Sequence, residues 1–166
     1  MEIEIVRAEL EQEPVVDNLL QLYAHDFSEF HDVELGSDGR FVYKELPRYW
    51  SEANRHPLLV KVNDKLAGFA LVKRGSEVSG DARVWDMAEF FVVRAYRRRG
   101  VGAEAARQVW RAFPGPWEVR VLEANHAAHL FWERAIAGCA SEAVQLVAVA
   151  KDAARWNVFS FESRVR

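Results

Sequence analysis

Apolar positions along this chain change period several times, and each change marks an element. Ile3-Glu4-Ile5-Val6 alternates as a strand does, whereas Pro14 followed by Val15, Val16, Leu19, Leu20, Leu22 and Tyr23 repeats every three to four residues, a helical stripe with proline in its first turn. After a polar stretch over 26–40, Phe41, Tyr43, Leu46 and Trp50 predict a second, short helix around Pro47. Apolar runs at 58–62 and 66–72 flank Asn63-Asp64, two residues that tolerate the positive φ of a tight turn, so strands two and three form a hairpin. Residues 85–93 are almost continuously apolar, as a strand covered on both faces must be, which puts strand four at the centre of the sheet.

Val101, Ala105, Val109 and Phe113 then share one helical face, stopped by Phe113-Pro114-Gly115-Pro116. Residues 117–121 alternate as strand five, Asn125 opens a helix that runs to Ala137 before Gly138, and 145–150 with 158–161 read as two closing strands. This order predicts an α/β fold, a mixed sheet of six to seven strands with four helices, built as one domain over 1–166.

Composition narrows the class. A chain of 166 residues buries roughly 70% of its unfolded surface in one core, and its six Trp and ten Phe supply that core with bulk. The net charge of −3, with arginines gathered in one short loop, speaks against a nucleic-acid partner, because a polyanion track needs a basic face. No apolar run approaches a bilayer span, the start Met1-Glu2-Ile3-Glu4 lacks the pattern of a signal peptide, and the lone Cys139 forms no internal disulfide; together these lead us to expect a cytoplasmic protein without membrane contact.

The chemistry concentrates at Arg97-Arg98-Arg99-Gly100-Val101-Gly102-Ala103, between the central strand and the next helix. A helix start presents unpartnered N–H groups and the positive end of its dipole, glycines let the backbone approach an anion, and arginines add forked donors, so a pyrophosphate fits there. The two standard nucleotide motifs are absent, since no Gly-Lys-Ser/Thr follows and a third glycine of G-x-G-x-x-G is missing. The competing reading is a solvated basic turn.

The spacing Val92-x-x-x-Tyr96-Arg97-x-x-Gly100-x-Gly102, followed by Asn125-x-x-Ala128-x-x-Phe131-Trp132, resembles the GNAT superfamily of acyl-coenzyme A dependent N-acetyltransferases over essentially the whole chain. That resemblance implies acetyl-CoA as co-substrate. Backbone groups of Phe90, Phe91 and Val92 would bond its pantetheine arm where strands four and five splay apart, N–H groups from Arg98 to Ala103 would hold its pyrophosphate, and Asn125 would bond the arm while capping its helix. It also implies direct attack by an amine on the thioester, with the oxyanion held by a strand-four N–H such as that of Val92. Where the family carries a tyrosine acid for the departing thiolate, this chain has Trp132, whose indole cannot give up a proton, so catalysis is expected without a tyrosine acid, or with Tyr96 or water in that role.

A protonated amine needs a base. Glu89, flanked by Ala88, Phe90 and Phe91, ranks first because desolvation raises its pKa into a useful range; Asp86, at a spacing used by some relatives, ranks second and Glu118 third. On a regular strand 86 and 89 face opposite ways unless a bulge intervenes, and either acid could instead be a structural ion-pair partner. His25 and His31 with Asp26, Glu29 and Asp32 match no metal-ligand spacing, so no metal is expected. By resemblance, Asp26, Glu29, Glu34, Phe27, Phe30 and Tyr43 would line an acceptor wall that selects a cationic amine, small molecule or peptide. Dimers are common among relatives, which makes a homodimer an expectation. The alternatives are an acyl-CoA-binding sensor without turnover and an anion- or nucleic-acid-binding domain.

Overall fold

In the computed structural model, which describes residues 1–164, the chain forms β1 (Ile3–Arg7), α1 (Glu13–Phe27), the single turn α2 (Arg48–Ser51), β2 (Arg55–Val62), β3 (Lys65–Arg74), β4 (Trp85–Val92), α3 (Val101–Ala112), β5 (Pro116–Leu122), α4 (His126–Ala137), β6 (Gln145–Lys151) and β7 (Ala154–Glu162). The strands join in one sheet of order β1-β2-β3-β4-β5-β7-β6, in which every pairing is antiparallel except β4 with β5. The α/β class, the seven strands and the four helices match the sequence reading.

Boundaries differ where local chemistry hides them. β2 begins at Arg55 and passes through Pro57, whose carbonyl accepts from Ala8 N–H on the side where β1 has already ended. Its missing N–H therefore breaks no ladder bond. β7 begins at Ala154, four residues before the expected start, because Asp152 and Ala153 make the β6–β7 turn with φ of 52° and 57°. An alanine in the left-handed region gives no warning in the sequence. The β2–β3 turn at Asn63 and Asp64 has φ of 47° and 62°, the form its residues favour.

The sheet is covered on both faces. α1 and α2 lie on one, around Val16, Leu20, Leu46, Tyr49, Leu59, Phe69, Leu71 and Phe91. On the other, α4 and the C-terminal half of α3 pack Trp110, Trp132 and Ile136 against Val72, Trp85, Met87, Trp117 and Phe159, and the start of α3 seats Val101 and Ala105 on Val60, Val62 and Val92. β4 thus contributes to clusters on both faces, as its apolar run requires.

Two irregularities of β4 shape everything that follows. Its register with β3 steps from Leu71↔Glu89 to Val72↔Met87, so Ala88 is an extra, bulged residue. Directly beside the bulge, β4 leaves β5: the parallel pairing comprises Trp85↔Trp117 and Asp86↔Glu118 and goes no further. A bulge bends its strand and sharpens its twist, and here that bend carries the rest of β4 away from β5.

Candidate active site

The divergence of β4 and β5 opens a cleft of about 440 Å³, walled by both strands, the C-terminal half of α1, the segment 31–43, the start of α4 and the β6–β7 turn. Backbone alternation decides what β4 offers it. Val93 N–H bonds Ala67 of β3, so by antiparallel alternation the polar groups of Phe91 also face β3, while those of Phe90, which lines the cleft, and of Val92 point to the side that β5 has left. Of the three residues expected to present backbone there, Phe91 is the one turned away, because successive residues of a strand bond opposite neighbours.

Because of the bulge, Glu89 and Asp86 stand opposite Leu71 and Lys73 and so share the α1 face of the sheet. Glu89 lines the cleft. The Tyr43 hydroxyl donates to its Oε1 at 3.2 Å, and Tyr23 of α1 lines the cleft beside the carboxylate, its hydroxyl favouring the charged form. Burial raises the Glu89 pKa to about 7, against the opposing pull of Tyr23, Arg120 and Tyr43. Burial together with the adjacent carboxylate raises both tyrosines, so they remain hydroxyl donors across the working range. The site therefore holds one carboxylate poised near neutrality and oriented by two phenols.

Asp86 is placed differently. It is 1% exposed and lies off the cleft lining, with Oδ2 accepting from Arg120 Nη2 at 2.9 Å while Lys73 Nζ stands 3.8 Å away as an ion-pair partner. Burial raises its pKa against the pull of those cations. Its surroundings are those of a buried ion pair. Glu118 is also buried and off the cleft, accepting from Ser76 Oγ at 2.5 Å.

The loop before α3 has the form of an anion cradle. Arg98 and Gly100 adopt φ of 60° and 80°, and Gly100 caps the helix with no side chain, so the N–H groups of Val101, Gly102 and Ala103 keep the free hydrogens of a first helical turn. Gly102 is close to Phe131, where an added Cβ would come within 3.1 Å of the ring. Arg98 and Arg99 are exposed, and Arg99 lies over Tyr96.

Arg97 is spoken for within the protein: Nε donates to Val92 O at 2.7 Å, Nη2 to Asp26 Oδ2 at 2.7 Å, and the guanidinium lies over the Phe91 ring. Arg94 Nη2 donates to the other Asp26 oxygen at 2.6 Å. Asp26 thus ties the end of α1 to the cradle rather than facing an acceptor. Burial opposes ionisation of Asp26, yet the hydrogen bonds from Arg97 and Arg94 hold its pKa below the usual value, so its contribution to stability is present at neutral pH and lost as pH falls through that lowered pKa. With both arginines substantially exposed, Asp26→Ala is expected to cost about 1 kcal/mol, a loss that shrinks in molar salt; urea unfolding at low and high ionic strength measures it.

Asn125 caps α4 as its position implies, its Oδ1 accepting from Ala128 N–H at 3.1 Å, and it lines the cleft, where its amide NH₂ remains available. Trp132 also lines the cleft, edge-on to Phe90 with ring centroids 5.0 Å apart. Tyr96 packs with Val92 and Val101 outside the cleft lining. Of the expected acceptor wall, Phe27, Glu34 and Tyr43 line the cleft and Glu29 and Phe30 do not; His31 and Asp32 do. Across the mouth, Phe27 stacks on Trp156 of β7 with centroids 6.4 Å apart, and His31 meets both rings. Among the described residues no group of three or more His, Cys, Asp and Glu side chains is arranged to hold a metal ion.

Sequence reasoning missed Tyr23, Arg120, Asp152 and Trp156. Tyr23 follows the apolar stripe of α1 and reads as core, and Arg120 occupies the polar phase of an alternating strand, which ordinarily faces water. The available signal was the pair Glu118 and Arg120 on a strand adjacent to a central one, where a polar face has to be accounted for.

The profile of the Acetyltransferase (GNAT) family matches residues 16–137. A comparison with curated proteins finds no match. Among solved structures, an acetyltransferase from Thermus thermophilus superposes with a TM-score of 0.71 at 13% identity, covering 98% of this chain and 97% of that one. A GNAT-family acetyltransferase from Streptococcus pneumoniae gives 0.59 at 20% identity over 98% and 100% of the two chains. The ribosomal-protein-S18-alanine N-acetyltransferase from Escherichia coli gives 0.57 at 13% identity over 99% and 96%. At such identities the superpositions speak for the fold, and the profile match, which spans the α1 wall, the splayed strands, the cradle and α4, shows that this chain belongs to the GNAT family of acetyltransferases.

Proposed function

We propose that the protein transfers an acetyl group from acetyl-CoA to a primary amine within a ternary complex. One observation supports this reading: where β4 has left β5, the backbone of Phe90 and Val92 turns to the open side, with the Glu89 carboxylate in the cleft before it and the α3 start, free of any side-chain cap, following it in the chain. The donor set fits the co-substrate. The first-turn N–H groups of α3 suit its diphosphate, Phe90 N–H and C=O suit an amide of its arm, and the Val92 carbonyl is already taken by Arg97. Acetyl-CoA supplies the activated acyl carbon.

The rest belongs to the chain. Glu89, half-deprotonated near neutrality, takes the proton that an ammonium group must lose, and Tyr23 and Tyr43 fix the carboxylate for that transfer. The N–H of Val92 is a donor for a carbonyl oxygen that gains charge as the amine attacks. Tyr96 lies off the cleft and Trp132 has no proton to give, so the departing thiolate, already a fair leaving group, takes its proton from water. Asp32, Glu34 and Asp152 on the rim give it a negative potential that draws cationic amines.

The test couples binding to turnover. Coenzyme A at about a hundred times its dissociation constant adds about 2.7 kcal/mol of stability, a rise of several degrees in melting temperature. Acetyl-CoA with a panel of primary amines then releases free thiol, followed with a chromogenic disulfide. No thermal shift with millimolar coenzyme A overturns the reading. Trp132 in place of a tyrosine favours one second reading, an acyl-CoA sensor, which predicts the thermal shift without thiol release from any amine.

A further inference from the structure

Charges of alternating sign form a continuous line from the cleft floor to the far edge of the sheet. Glu89 and Arg120 line the cleft floor together, Arg120 bonds Asp86, Asp86 lies 3.8 Å from Lys73, Lys73 bonds Glu77, and Glu77 bonds Lys151 at 3.0 Å. The line exists because the Ala88 bulge brings both β4 acids to one face and because Arg120 sits two residues beyond the last parallel pair, where β5 has just left β4. Asp86 and Arg120 therefore span the apex of the splay.

Their contact is single-pronged. Asp86 Oδ1 and Arg120 Nε are both buried without a partner among the described residues, so the guanidinium is anchored at one terminal nitrogen and its remaining donors are not consumed by Asp86. Arg120, but not Asp86, lines the cleft beside Glu89. Lys73 is claimed by Glu77, which leaves Arg120 as the main counterion of Asp86.

We propose that Asp86 and Arg120 are a positioning pair for the reaction: Asp86 anchors Arg120 across the apex of the splay, and Arg120 sets the charge that Glu89 carries on the cleft floor. This deepens the reading of Glu89 as the base, and rests on it. The other groups facing Glu89 are Tyr23 from α1 and Tyr43 from the segment before α2, both neutral hydroxyls, with His31, Asp32 and Glu34 farther out on the rim. Among the described residues that line the cleft Arg120 is thus the one permanent cation on the floor, with the buried Asp86 bonded to it from behind.

Removing the cation and removing its anchor must act in opposite directions. In Arg120→Met, Glu89 loses the charge that favours its ionised form and its protonation midpoint rises by about one pH unit or more. In Asp86→Asn, a repelling carboxylate goes and the guanidinium is released toward Glu89, so the midpoint falls. Arg120→Lys keeps a cation and stays near the wild-type value.

The readout is the ¹³C carboxyl shift of Glu89 in glutamate-labelled protein, assigned by its loss in Glu89→Gln and titrated without acetyl-CoA or acceptor. It therefore stands or falls independently of whether any amine is acetylated. Amide spectra confirm that each variant is folded, and if Arg120→Met does not fold, Asp86→Asn and Arg120→Gln carry the same comparison. A midpoint that stays in place in either the cation-removing or the anchor-removing variant, or that moves the same way in both, overturns the proposal; opposite displacements support it.

Discussion

Glu89→Gln is expected to lower kcat/KM for acetyl transfer by a factor of about 10² to 10⁴, the range a positioned base supplies, while leaving coenzyme A binding intact. The wild-type rate should climb with pH through about 7, where the Glu89 carboxylate loses its proton, and the variant should lose that limb. Stability moves the other way. A carboxyl whose pKa is raised from 4.5 to about 7 on folding binds its proton more tightly in the native state, so the wild type loses stability as pH rises between those values. At pH 8 that costs on the order of 3 kcal/mol. The introduced amide carries no charge to desolvate, and its carbonyl can still accept from Tyr43. Melting curves at pH 5 and pH 8 should show the variant gaining on the wild type at the higher pH, and a variant with full turnover, or with a wild-type dependence of stability on pH, would remove Glu89 from the role given to it.

Gly68→Ala is the second large effect, and it strikes the scaffold. A Cβ at that position would overlap the carbonyl oxygen of Phe91 on the neighbouring strand. No rotamer relieves a clash made by the first side-chain carbon against backbone, so β3 and β4 must move apart where the open-side groups of Phe90 and Val92 are held. The cost should be about 4 kcal/mol or more, a large part of the roughly 5–15 kcal/mol that holds a typical domain. The variant should be poorly soluble or unfold at much lower urea, and any folded fraction should fail to bind coenzyme A. A urea midpoint like that of the wild type would refute the claimed contact.

Much of this architecture was legible because single residues state their own constraint. The continuous apolar run of β4 required cover on both faces, while the alternation in β5 and the glycine pair at the start of α3 marked strand and cradle; the structure has clusters on both sides of β4 and an α3 start with no side-chain cap, led by a left-handed Gly100. What stayed hidden depends on pairing between distant segments. The face of Glu89 could not be read from its position relative to Asp86, because the register shift at Ala88 is a relation between β3 and β4 that alanine does not advertise. For the same reason, Phe91 could be named with Phe90 and Val92 although its polar groups face the other way. Arg97 looked like a phosphate ligand because its partners, Val92 O and Asp26, lie outside the motif that contains it.

The bulged Ala88 has one more implication, about mutational distance. Excising it would leave Met87↔Val72 and Glu89↔Leu71 as consecutive pairs of an ordinary ladder, with Glu89 still on the face of Leu71. A straightened β4 could continue alongside β5 beyond Asp86 and seal the gap with interstrand bonds. The loss of a single codon would then yield a sturdier molecule with no opening for a ligand, so length at this point decides whether the sheet has a cleft at all.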